Sequence, residues 1–80
     1  MPPAEEPEPR SALGERLAAQ ACERARTQWR TAAARVRAAT EDLTHCIEAE
    51  SFACHGPAAK MAPAIADLEW AEQQVASHCE

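Results

Sequence analysis

Apolar residues recur along two stretches of this chain at the period of a helix, and each stretch begins and ends in cysteine. With Cys22 as heptad position a, the a series runs Cys22, Trp29, Val36, Leu43 and the d series Ala25, Ala32, Ala39, Cys46. No charged residue interrupts that seam, so it reads as one face of a long amphipathic helix. In the second half, steps of four and three from Cys54 land on Ala58, Met61, Ile65, Leu68, Glu72, Val75 and Cys79. Only Glu72 breaks that stripe. The pattern predicts an all-α fold.

The breakers set the limits. Six prolines stand at positions 2, 3, 7, 9, 57 and 63, and Gly14 is the one helix-weakening residue between Arg10 and Gly56. Ser11 suits an N-cap, which predicts a first helix over 11–48, a turn over 49–56 and a second helix over 57–79. Pro63 falls inside the second helix. Either that helix kinks there or a short turn at 57–61 precedes it. Residues 1–10, rich in Pro and Glu, read as an extended, solvated acidic arm ahead of a unit spanning 11–80.

Cys22 and Cys46 are 24 residues apart and Cys54 and Cys79 are 25 apart, so the cysteines stand at mirrored positions. Folding the chain back near Ala49 and Glu50 brings Cys46 to Cys54 and Cys22 to Cys79. Of the three connectivities that four cysteines allow, this nested one alone suits two antiparallel rods of equal length. Alanine at every d position lets the backbones come close enough for bonds whose Cα atoms must lie within about 7 Å. The expected architecture is an antiparallel two-helix hairpin clamped by two nested disulfides. In that register Glu72 stands opposite Trp29, so either the indole N–H donates to its carboxylate or Glu72 reaches out to the seam edge.

Eighty residues with one Phe and no Tyr cannot bury a large core, and a chain this short needs staples or a partner. The net charge of −5 argues against nucleic acid as a partner. That charge is uneven: residues 10–40 carry seven Arg against two Glu, whereas residues 41–80 carry eight acids against Lys60. A basic first helix therefore faces an acidic second one, either satisfying each other along their rims or leaving a basic stripe for an acidic partner. No run approaches the ~18 apolar residues of a bilayer span, so the expected relation to a membrane is peripheral. The N-terminal residues show neither a secretory signal pattern nor an Arg-rich presequence.

Three cysteines have a histidine neighbour. His45, Cys46, Cys54 and His55 have the chemistry of a zinc site at the turn, although the C-x₂-C knuckle spacing is missing and Cys22 and Cys79 would stay unexplained. Free or redox-active thiols are the third reading. Cysteine beside histidine in sequence is not a nucleophile–base pair in space, and a two-helix hairpin offers no concave pocket, so neither an enzyme nor a small-molecule substrate is expected. Trp70 and Phe52 fall off the seam. Large aromatics left outside a seam are candidate partner contacts, with Phe52 capping the turn as the alternative.

A hairpin with outer-to-outer and inner-to-inner cysteine pairs and no cleavable presequence resembles the twin-cysteine helix-hairpin (coiled-coil-helix-coiled-coil-helix) proteins of the mitochondrial intermembrane space. The resemblance covers residues 22–79, with spacings of C-x₂₃-C and C-x₂₄-C where most of that family has C-x₉-C. It implies a non-enzymatic accessory subunit of a respiratory-chain complex that binds protein subunits, lies on the membrane without spanning it and needs no cofactor. The alternative is a small zinc- or copper-handling protein of an oxidising compartment such as a bacterial periplasm.

Overall fold

In a computed structural model, which describes the backbone of residues 7–79 and side chains of residues 12–79, the described chain is helical except for the turn over 49–54, the break at Lys60 and the last residue. Helix α1 runs Pro7–Glu48, α2 is a single short turn of helix over His55–Ala59, and α3 runs Met61–His78. The molecule is a rod of 77 × 15 × 14 Å.

α1 begins four residues earlier than Ser11, inside the segment expected to be extended. The first N–H groups of a helix have no intrahelical acceptor, so Pro7 and Pro9 sacrifice no bond there. Alanine-rich sequence carries the helix onward. The remainder of the expected arm, residues 1–6, lies outside the described residues.

α1 ends in a Schellman arrangement. The amide of Ser51 donates to the Cys46 carbonyl at 3.2 Å and that of Glu50 to the Ile47 carbonyl at 2.9 Å. Glu50 takes the left-handed conformation, with φ 55°, which this motif assigns to a residue that is usually glycine. The reversal thus falls where the mirrored cysteines place it.

The predicted second helix is two segments. α2 and α3 each follow a non-helical or turn residue, Cys54 and Lys60, and each carries a proline as its third residue, Pro57 and Pro63. Both prolines therefore sit in a first turn, where their missing N–H is harmless. Pro63 produces no kink; the break lies at Lys60, just before α3.

Both disulfides form as the mirrored spacing predicts. Cys22–Cys79 has a Cα separation of 4.9 Å and Cys46–Cys54 one of 5.9 Å, and no cysteine is free. Among the described residues, the buried ones are all alanine: Ala25, Ala32 and Ala39 of α1 with Ala64 and Ala71 of α3.

The α1 half of the seam is as expected for its d positions, but the α3 half is out of phase by one residue. Ala64 and Ala71 occupy the centre, whereas Ile65 and Glu72 are exposed. The α3 seam thus steps Pro57, Met61, Ala64, Leu68, Ala71, Val75. Between the two disulfides this register opposes Ala25 to Val75, Trp29 to Ala71, Ala32 to Leu68, Val36 to Ala64 and Ala39 to Met61. Each layer sets one large residue against one alanine, which keeps the helices close. On the rim, the Thr40 hydroxyl donates to the Val36 carbonyl at 2.8 Å and sits 3.8 Å from the Met61 sulfur.

Candidate partner-docking surface

Because the seam is only one alanine wide, the larger apolar side chains are pushed to its flanks. Two grooves result, one on each side of the α1–α3 contact. The first is a cleft of about 550 Å³ with Trp29, Val75 and Ala76 at its base, Arg26 and Arg30 on the α1 rim and Glu72 on the α3 rim. The second is smaller, about 340 Å³, and holds Trp70 between Gln28 and Thr31 of α1 and Asp67 of α3. Toward the disulfide end it continues past Arg24, Gln74 and His78.

Trp70 is 51% exposed, so the hairpin leaves half of this indole to solvent or a partner. Phe52 is 100% exposed in the non-helical turn and packs on nothing, which removes the turn-capping alternative. The two residues are not brought together: Trp70 lies midway along α3 and Phe52 at the closed end of the hairpin.

Trp29 and Glu72 do line one cleft, but no hydrogen bond joins them among the described residues. The reason is the phase of α3. Glu72 is off the seam and exposed, and Trp29 is itself 40% exposed.

The charge division is also finer than one basic helix facing one acidic helix. α1 carries seven Arg and six acids, and only its middle, Arg24 to Arg37, is uninterruptedly basic. Opposite that middle stand Asp67, Glu69 and Glu72 of α3. The end of α1 toward the turn is acidic through Glu41, Asp42 and Glu48.

Three further apolar residues stand open: Leu13 and Leu17 on α1 and Ile47 near the turn. Leu13 and Leu17 precede Cys22, where α3 is tied on, so α3 cannot reach them. That position relative to the outer disulfide is the signal that would have found them. Ile47 was legible from helical phase, since it follows Trp29 by 18 residues, about five turns, whereas Ile65 joins that side only through the observed phase of α3, in which it precedes Glu72 by seven, about two turns. Both therefore lie on the Trp29 side of the hairpin.

His45 and His55 flank the inner disulfide. With Cys46 and Cys54 bonded to each other, neither sulfur is a thiolate able to bind zinc. No group of three or more His, Cys, Asp or Glu side chains comes together in metal-binding geometry among the described residues.

Two disulfides in so small a chain belong to an oxidising compartment. No helix among the described residues is long and apolar enough to cross a membrane. No protein-family model, no curated protein and no solved structure matches the chain.

Proposed function

We propose that this protein is a non-enzymatic structural subunit that docks as a stiff helical clamp on a larger protein assembly. The observation that carries the reading is the half-exposed Trp70, held in a groove of a rod braced by a disulfide at each end of the hairpin. A clamped rod loses little conformational entropy on binding, so an exposed aromatic on it is an efficient anchor. The Leu13 and Leu17 stripe on the α1 extension adds apolar contact area beyond the hairpin.

The disulfides, the lack of a membrane-crossing helix among the described residues and the resemblance to the twin-cysteine hairpins favour the intermembrane-space side of a mitochondrial respiratory complex as the site of assembly. The test is purification of the native protein with its associated subunits, in wild type and in Trp70→Ala. The variant is expected to keep wild-type helicity and melting temperature while incorporating poorly into the assembly. Equal incorporation removes Trp70 as the anchor. A monomeric native protein carrying stoichiometric zinc would overturn the reading in favour of metal handling.

A further inference from the structure

The groove on the other side of the hairpin has features that the Trp70 surface does not use. Its cleft offers an indole face with Val75 and Ala76, rimmed by the guanidinium groups of Arg26 and Arg30. An occupant of matching chemistry is a large apolar side chain carried on an acidic backbone segment. This chain displays such a segment at its own turn, where the wholly exposed Phe52 follows Glu48 and Glu50.

We infer that the Trp29 face is a self-association surface, on which two copies lie antiparallel and each inserts Phe52 into the Trp29 cleft of the other. The spacing along α1 supports a single register. Arg30 and Arg37 are seven residues apart, Glu41 and Glu48 are also seven apart, and Arg30 precedes Glu41 by 11, about three turns. All four therefore share one stripe of α1. Turning a second copy end for end about a point near Ala39 sets Arg30 beside the second copy's Glu48 and Arg37 beside its Glu41. The same operation sets Trp29 at the level of the second copy's turn and Ile47 within about a helical turn of its Ile65 level.

The contact is isologous and closes on itself, so it yields a dimer and not a filament. Every element in it is exposed in the single chain: Phe52 entirely, Ile47 by 60%, and Trp29 and Ile65 by about two fifths. Opposed charges along the stripe fix the register, and the two aromatic insertions supply most of the affinity. The inference does not depend on the Trp70 reading, because Trp70 lies in the opposite groove and stays uncovered in the dimer.

Sedimentation equilibrium of the full oxidised chain is the test. A dimer is expected, with Phe52→Ala weakening it roughly tenfold or more and leaving monomer helicity intact, since Phe52 has no contacts to lose. Arg30→Glu and Glu48→Arg should each weaken the dimer, and the two together should restore it. Trp70→Ala should leave it unchanged. A protein that stays monomeric up to about 1 mM, where any surviving affinity is weaker than about 4 kcal/mol, overturns the inference. So does a dimer indifferent to Phe52→Ala, or one lost on Trp70→Ala, and failure of the double reversal to restore association eliminates the antiparallel register.

Discussion

The stretch of α1 inside the hairpin and the stretch that projects beyond it are one continuous helix held by different means. From Cys22 to Cys46, α1 lies against α3 and α2, and its seam alanines are buried. From Pro7 to Gln20 it projects about 21 Å beyond the hairpin, and its residues Ala12 to Gln20 are all exposed. An isolated helix of that length is marginal in water, because nucleation is costly. Here the hairpin supplies the nucleus and the extension only propagates it. The comparison teaches that order in this molecule originates at the cross-links and decays away from them, since a core of five alanines contributes little apolar area.

The largest way to break that contrast is to remove the outer bond. In the loop-entropy account, closing the loop between Cys22 and Cys79, which are 57 residues apart, is worth about 4 kcal/mol, against about 2.6 for the Cys46–Cys54 loop. The Cys22→Ser, Cys79→Ser variant should therefore melt far below wild type by circular dichroism and lose α3 first. The Cys46→Ser, Cys54→Ser variant should lose less. Equal losses would mean that the alanine seam, and not loop closure, supports the fold.

A smaller effect separates the seam from the extension. Ala71 is 1% exposed at the centre of the α1–α3 seam, so Ala71→Leu forces the helices apart and should destabilise by about 1–3 kcal/mol. Ala19→Leu makes the same chemical change on the exposed extension and should fall within about 0.5 kcal/mol of wild type. Glu72→Leu serves as a control, since in the observed phase it alters only an exposed edge. If Glu72→Leu proved the more damaging of the two α3 changes in thermal melts, the α3 phase described above would be wrong.

The same positions show how far the sequence could be read. The cysteine symmetry specified the disulfides, the reversal near Ala49 and Glu50, and the alanines of α1, because one geometric rule links all of them. The phase of α3 was not legible by stepping from Cys54, since Cys54 precedes a separate short helix and the chain breaks again at Lys60. Both candidate phases share Met61, Leu68 and Val75, and hydrophobicity alone favours Ile65 over Ala64. What decides is distance. Helices drawn together by two disulfides put their smallest residues at the centre and displace the larger ones to the flanks, which also exposes Trp29 and Ile65. Trp70 and Phe52 were recognisable as off-seam residues, whereas the open stripe of Leu13 and Leu17 required knowing where α3 stops.

The smallest expected effect lies wholly in the extension. Gly14 is the one glycine of α1, and a methyl group placed on it meets nothing within 4 Å. Glycine inside a helix costs about 1 kcal/mol relative to alanine, so Gly14→Ala should strengthen the helix between the N-terminus and Cys22 by about that amount. The gain should not appear in the global melting temperature, because the extension opens locally without separating α1 from α3. It should appear in amide hydrogen exchange, as slower exchange confined to the residues that precede Cys22, with those from Ala25 to Ala39 unchanged. Slower exchange in the hairpin as well would show that extension and hairpin open as one unit, and would dissolve the distinction between them.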